Sequence, residues 1–262
     1  MITSVANARV KQVVAWQTKA KERKKDKVFL AEGLKMFEEA PTDWIKEIYI
    51  EETALEKLNR ESSIYNKLQK IGYEVVSEEV FNKMSDTQTP QGILTVLKRP
   101  EYQLENLLQV ENPLFVLLED LQDPGNLGTI VRTGEGAGVT AVLMSKNTVD
   151  IFNPKTIRAT MGSIYRVPFL YVEDVEATIK HLHNVNVKTY AAHLDGKDYY
   201  DSFSFKEGTV FLIGNEGNGL KKSTADTAFA YLKIPMEGQV ESLNAAIATS
   251  LLMYEAHRQR KG

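Results

Sequence analysis

The sequence predicts an α/β protein built from two successive modules, the second larger than the first. Three observations carry that prediction. Short apolar runs alternate with helical patterns along the whole chain, and strands that feed helices favour α/β layers. Residues 98–113 form a polar connector bracketed by Pro100 and Pro113, with apolar runs on both sides. Glycine is uneven: five of the sixteen lie between Gly125 and Gly138 and three more between Gly214 and Gly219, each cluster directly after a predicted buried strand. The expected divisions are therefore residues 1–97, a linker at 98–112, and residues 113–262.

In the first module, Val28-Phe-Leu-Ala reads as a strand followed by a helical pattern from Leu34 to Ala40. Ile45–Ile50 is the next strand, with a helical stretch from about Leu55 to Ile71. Tyr73-Glu-Val-Val leads into a short helix near Val80 to Met84, and Gly92-Ile-Leu-Thr-Val-Leu closes the module. The connector holds one short amphipathic turn. In the second module the strands are Leu114–Leu118, Thr140–Met144, Pro168–Val172, Lys188–Ala192, Val210–Ile213 and Ala230–Ile234. A closing helix runs from about Leu243 to Arg258, with Ser242 or Glu241 near its start and an apolar stripe of Leu243, Ala246, Ile247, Leu251 and Tyr254.

Composition narrows the function classes. At 43% hydrophobic and 26% charged residues the chain suits a globular fold and not a disordered one. No apolar run approaches the roughly 18 residues of a membrane span. The first residues have no apolar core or small-residue cleavage site, so no secretory signal is expected. Cysteine is absent, which excludes disulfides, thiolate zinc sites and a cysteine nucleophile, and fits a reducing compartment. The expected location is the cytoplasm, with no membrane partner. The net charge of −3 hides a segregation. Arg9, Lys11, Lys19, Lys21, Arg23, Lys24, Lys25 and Lys27 stand against only Glu22 and Asp26, so residues 1–27 carry +6 and the remainder −9. Such a stretch either attracts a polyanion or forms a solvated helix that frays.

The glycine clusters lie where an open α/β sheet binds ligands, beyond the carboxyl ends of its strands, although tight turns alone also use glycine there. Gly214-Asn-Glu-Gly-Asn-Gly does not fit the Gly-x-Gly-x-x-Gly of a dinucleotide fold, and Gly219-Leu-Lys does not fit a P-loop. A third loop, Ile234-Pro-Met-Glu-Gly-Gln-Val-Glu-Ser-Leu-Asn, enters the closing helix, where Ser242 and Asn244 serve either as caps or as site residues. Together the loops bear Asn126, Arg132, Glu216, Ser242 and Asn244. They hold no histidine and no carboxylate cluster, and His181-x-His183 sits in a helical surface pattern, so no metal is expected. One guanidinium, one carboxylate and fixed hydrogen-bonding groups suit a group transfer driven by positioning.

Three segments, Asn126-Leu-Gly-Thr-Ile-Val-Arg-Thr, Gly214-Asn-Glu-Gly-Asn-Gly-Leu and Ile234-Pro-Met…Ser242-Leu-Asn-Ala-Ala-Ile-Ala, resemble in order and spacing the three motifs of SpoU-type RNA ribose methyltransferases of the SPOUT superfamily. Asn153-Pro-Lys-Thr-Ile-Arg-Ala-Thr-Met-Gly-Ser is also similar to that family. Phe29-Leu-Ala-Glu-Gly and Thr89-Pro-Gln-Gly-Ile-Leu resemble its substrate-binding module, a small α/β domain akin to certain ribosomal proteins. The resemblance implies a C-terminal trefoil-knotted methyltransferase domain, an exception to the rule that chains avoid knots. It implies S-adenosylmethionine as cofactor, a homodimer, and methyl transfer to a ribose 2′-hydroxyl of RNA. Ribosomal RNA is the expected substrate. Transfer RNA, or a non-catalytic RNA-binding or ribosome-assembly protein on the same scaffold, is the alternative, and an ordinary open-sheet methyltransferase fits the late polar loops less well.

By position, Gly214, Ile234, Met236 and Leu243 match the cofactor site, and Asn126, Arg132, Glu216, Ser242 and Asn244 match the catalytic and substrate positions. Arg132 suits binding of the phosphate beside the target ribose; as a guanidinium it stays protonated and is a poor base. Arg9, Arg23, Lys24 and Lys25 become expected RNA contacts, joined by Arg158, Ser163 and Arg166, although Arg166 is equally placed to pair with an acid.

Overall fold

The structure, a computed structural model, describes residues 1–239 and 242–261. Glu241, one of the two residues expected near the start of the closing helix, lies outside the described residues. The chain divides into two compact units, Met1–Glu101 with Asp150–Tyr165, and Tyr102–Val149 with Arg166–Gly262.

The first unit opens with helices α1 (Ala8–Thr18) and α2 (Ala20–Asp26). Asn7 caps α1 by accepting from the Arg9 amide at 2.8 Å. The sheet that follows consists of β1 (Val28–Glu32), β2 (Ile45–Glu51), β3 (Glu74–Val76) and β4 (Ile93–Lys98), in the order β1-β4-β2-β3. Strand β4 is antiparallel to both neighbours, and β3 runs parallel to β2. Period-two alternation sends Leu94 and Val96 to one face, against Val10, Val13, Trp16 and Phe81. Ile93, Ile48 and Ile50 point to the other, against Phe37 and Leu68. The helices α3 (Leu34–Glu39), α4 (Glu52–Lys57), α5 (Ser63–Ile71) and α6 (Glu78–Met84) complete the two layers. The helical stretch expected from Leu55 to Ile71 is broken into α4 and α5. Asn59 and Ser62 form a turn between them, and the Ser62 hydroxyl then caps α5 by accepting from the Tyr65 amide.

The N-terminal helices are not a frayed solvated arm. Val10 and Val13 are fully buried, and Arg23 is only 3% exposed. Its guanidinium donates to the Trp16 and Gln17 carbonyls at the end of α1 and to Asp150 Oδ2 at 2.6 Å. Asp150 begins the returning segment of this unit. Its Phe152 packs on Phe29 with ring centroids 4.9 Å apart, and its Tyr165 hydroxyl donates to the Met36 carbonyl at 3.0 Å.

The second unit starts with a single helical turn, α7 (Leu104–Leu107), and carries strands β5 (Leu114–Leu118), β6 (Ala141–Ser145), β7 (Phe169–Val172), β8 (Lys188–Ala192), β9 (Asp198–Tyr199), β10 (Thr209–Ile213) and β11 (Ala230–Lys233). They form one parallel sheet in the order β7-β6-β5-β10-β8-β11-β9. All residues of β5 and β10 are buried, as continuous apolar runs in a doubly covered sheet require. The chain steps outward from β5 through β6 to β7 and then returns to the other side, so the junction of β5 with β10 is the switch point where the strand order reverses. Among the described residues no helix is long and apolar enough to cross a membrane.

Arg23 makes the first unit sensitive to a single carboxylate. Among the described residues its Nε has no hydrogen-bond partner and Asp150 is the only ion-pair partner of this buried cation. Asp150→Ala should lower stability by about 2–4 kcal/mol, the cost of stranding a buried charge. Urea unfolding checks this, and a loss near zero would show that water compensates the guanidinium.

Candidate active site

Three loops leave the carboxyl ends of β5, β10 and β11 and are linked through Glu216 and Asn126. The first follows β5. Asp123 caps helix α8 (Pro124–Ala137) through a 2.8 Å bond from the Asn126 amide, which fixes Asn126 in the first turn. The second follows β10. Asn215 and Gly219 exchange backbone hydrogen bonds at 3.0 and 2.9 Å, closing a tight loop that projects Glu216. Its carboxylate accepts from the Gln122 amide at 3.0 Å, the Asp123 amide at 2.9 Å and the Asn126 side-chain amide at 3.1 Å. The third loop ends at helix α12 (Ala245–Lys261). There the Asn244 carboxamide oxygen accepts from the Ala246 and Ile247 amides, while its nitrogen donates to Asn126 Oδ1 at 3.0 Å. Asn244 thus caps the helix and is also bonded to Asn126. Partial burial pushes the Glu216 carboxyl upward, but the Gln122, Asp123 and Asn126 donors outweigh it and hold the group below its ordinary value.

The second and third loops enclose a cavity of about 500 Å³, within the range of small-molecule sites. Gly214 is indispensable to its shape: a Cβ there would lie 2.0 Å from the Gly219 carbonyl carbon. Gly214, Glu216, Ile234, Met236, Ser242, Leu243 and Asn244 all line the cavity, whereas Asn126 and Arg132 do not. Arg132 is exposed on α8 and makes no hydrogen bond or ion pair among the described residues.

The end of β8 also contributes to the wall, and the sequence reading missed it. Ala192, His193 and Leu194 line the cavity, with the His193 ring 4.9 Å from that of Tyr231. The signal was available in principle, since this too is the carboxyl end of a parallel strand. No glycine cluster marked it, and the adjacency of β8 to β10 and β11 is a property of the sheet order. Among the described residues no group of three or more metal-ligating side chains is placed to hold an ion.

The residues expected to touch RNA divide sharply. Lys24 and Lys25 are exposed and unpaired among the described residues, as are Lys19 and Lys21. Arg9 is exposed and paired with Glu74, and Arg158 with Asp86. Arg166 pairs with Glu135, the alternative left open by the sequence. Two expectations need correction. Arg23 is a buried structural cation occupied by Asp150, and Ser163, at 3% exposure, is enclosed in the first unit. Neither is accessible to a polyanion.

Comparison with known proteins gives a consistent result. The family pattern described as the SpoU rRNA Methylase family matches residues 113–254, and that of the MRM3-like substrate binding domain matches residues 7–95. The 23S rRNA (guanosine(2553)-2′-O)-methyltransferase RlmP of Bacillus subtilis is 34% identical, with 97% of each chain covered. The 23S rRNA (guanosine-2′-O-)-methyltransferase RlmB of Bordetella pertussis is 29% identical over 83% of this chain and 91% of its own. Among solved structures, the AdoMet-bound rRNA methyltransferase from Sinorhizobium meliloti superposes with a TM-score of 0.84 at 31% identity, covering 98% of this chain and 97% of that one.

The depressed carboxyl gives the site a pH signature. The contribution of Glu216 is fully present above its ordinary value of 4.5 and is lost as pH falls through the lower folded-state value. Glu216→Gln should therefore be less stable than the parent at pH 7, by about 1 kcal/mol after allowing for solvent screening. The gap should close as pH drops below 4.5. Thermal melting at both pH values checks this; a gap that persists in acid would show that the amides are held by something other than the charge.

Proposed function

The chain belongs to the SpoU rRNA methylase family, and from that premise we propose that it transfers a methyl group from S-adenosylmethionine to a ribose 2′-hydroxyl of ribosomal RNA, in the cytoplasm. The observation that carries the reading is the chain of bonds from Asn244 to Asn126 and from Asn126 to Glu216, which ties the start of α12 to the loops that follow β5 and β10. Ribosomal RNA is preferred to transfer RNA because the Bacillus subtilis relative, named for a 23S rRNA guanosine, matches across both modules. The trefoil-knotted path of the second unit belongs to the same proposal.

The cavity fits the cofactor. Its walls combine Leu220, Leu232, Ile234 and Leu243, suited to an adenine ring and a methionine chain, with the bare backbone of the Gly214–Gly219 loop, which supplies main-chain polar groups at close approach. Gly214, Ile234, Met236 and Leu243 would hold it. When bound, S-adenosylmethionine supplies a methyl group on a sulfonium, a leaving arrangement that needs no acid. What remains for the protein is to bring a weakly acidic hydroxyl into line and to support charge developing on its oxygen.

Arg132 is the group for that task. It is exposed and unpaired among the described residues, so its forked donors are open to the phosphate flanking the target ribose. As a permanent cation it cannot take the hydroxyl proton; it organises the phosphate and a water to which the proton passes. Asn126 and Asn244, locked to each other, orient the nucleotide, with Ser242 at the cavity rim. Lys19, Lys21, Lys24 and Lys25 supply phosphate contacts on the first unit. Arg9 and Arg158 would join them only by exchanging their carboxylate partners. Arg132→Ala should lower kcat by at least about 100-fold, the scale of losing one charge-stabilising donor. Its cofactor affinity, measured by calorimetry, should stay within about threefold of the parent. Near-parental turnover would remove Arg132 from the mechanism.

The homodimer is part of the same reading. Helix α12 exposes Ile247, Leu251 and Tyr254 at 52, 39 and 49%, three aligned apolar side chains lining a shallow groove with Tyr200. A second copy of this helix is the proposed occupant, and the stripe begins three residues after Asn244, close to the site in sequence. Leu251→Arg should shift the protein to a monomer in sedimentation velocity and reduce methyl transfer; an unchanged sedimentation coefficient would place the interface elsewhere.

A further inference from the structure

The loops after β5 and β10 are joined a second time, behind Glu216, by charged groups that the proposed reaction does not use. Glu119, at 2% exposure, is a buried carboxylate at the end of β5. It accepts from the Lys221 amide at 2.8 Å and the Thr224 hydroxyl at 2.7 Å, and the Lys221 ammonium stands 3.6 Å away. That ammonium donates to Asp120 Oδ2 at 2.8 Å, whose other oxygen accepts from Ser145 at 2.7 Å. The Asp120 carbonyl accepts from the Asn215 side chain at 2.8 Å and from Gln122 Nε2 at 2.8 Å. To satisfy all of these, Asp120 takes φ +55°, a left-handed conformation that non-glycine residues rarely adopt without compensation.

The consequence is directional. Asn215 precedes Glu216 and Lys221 follows the Gly214–Leu220 loop, so the two ends of the cavity-forming loop are each tied to Asp120. Asp120 in turn lies two residues before Gln122, whose amide is one of the donors to Glu216. The register of the β5 loop against the β10 loop, and with it the aim of the Gln122 and Asp123 amides, is set at this clamp. We propose that Lys221, with Asp120 and Glu119, is a positioning residue of the active site: it holds Glu216 and the cofactor cradle in the arrangement that binds the cofactor and presents Asn126. The proposal rests on the methyltransferase reading of the site.

Opposite shifts accompany the pairing. The Asp120 hydrogen bond leads the causes that raise the Lys221 ammonium, while Lys221 and Ser145 outweigh burial and lower the Asp120 carboxyl. Because the Lys221 side chain is 58% exposed, solvent screens much of its attraction to Asp120. Its geometric role is the firmer one: a single side chain reaches Asp120 at 2.8 Å and stands 3.6 Å from the buried Glu119.

The test is a double-mutant cycle on the full chain, combining Lys221→Met with Glu216→Gln, with cofactor affinity read by calorimetry and turnover by methyl transfer to ribosomal RNA. Lys221→Met should weaken cofactor binding about fivefold and lower kcat by a similar factor at 25 °C, where the variant remains folded by circular dichroism. Lys221→Arg should recover most of both. In a Glu216→Gln background the same substitution should add little, because the group it positions is already gone. Asp120→Asn, of equal size, should reproduce the affinity loss. Full additivity in the cycle, or a variant that melts earlier yet keeps parental affinity and kcat, would reduce Lys221 to a merely structural role and overturn the proposal. A parent protein that does not bind S-adenosylmethionine would instead overturn the methyltransferase reading. A parent that binds it but leaves RNA unmethylated still reports on the clamp through affinity.

Discussion

A single carboxylate organises the second unit's site. Glu216 draws two backbone amides and the Asn126 side chain from a loop some 90 residues earlier in the chain. Asn126 then takes the Asn244 amide from 118 residues later. No apolar contact would impose such directionality, because hydrophobic burial is indifferent to orientation whereas a carboxylate oxygen accepts along particular lines. The apolar sheet beneath makes this possible. Strands β5 and β10 are buried neighbours at the switch point, so their outgoing loops must emerge side by side. The sheet supplies proximity, and the carboxylate converts proximity into geometry.

The first unit rests on a comparable constraint with a different purpose. Arg23 is surrounded in sequence by lysines that face solvent, yet it is turned inward to finish helix α1 and to meet Asp150. One buried ion pair thereby fixes the helix that carries Lys24 and Lys25 and the segment that carries Phe152 and Tyr165. The exposed lysines can then present charge from a rigid element, which lowers the entropy lost on binding a polyanion.

Much of this was legible in the sequence, for identifiable reasons. Leu114–Leu118 and Lys188–Ala192 were read with their observed ends: the first is a fully buried apolar run bounded by polar turns, and the second is a strand buried at its centre whose two ends are half-buried. The site loops were legible because glycine is demanded where backbone meets backbone, as at Gly214. Asn126, Glu216 and Asn244 were found one by one and are joined by hydrogen bonds in the structure. The misses share a cause. Within a run of lysines, Arg23 carries no local sign that it points inward, and Ser163 carries none that it is enclosed. Both facts depend on residues 150–165 packing with the first unit, far from it in sequence. His193 was passed over because only the sheet order brings the end of β8 to the cavity. The break between α4 and α5 turned on Asn59 and Ser62, whose side chains compete with helical hydrogen bonding.

Held together in this way, the site contains a cradle shaped for a small molecule and a pair of locked carboxamides, to which the proposal adds the Arg132 guanidinium, unpaired among the described residues. That inventory acts by position and charge, and it suits a methyl transfer in which the leaving group needs no help. The most direct measurement is transfer of isotopically labelled methyl from S-adenosylmethionine to total ribosomal RNA from cells lacking this gene, followed by digestion to nucleosides. The account predicts label in a single 2′-O-methylnucleoside. Label on a base, or none despite demonstrated binding of both cofactor and RNA, would contradict it.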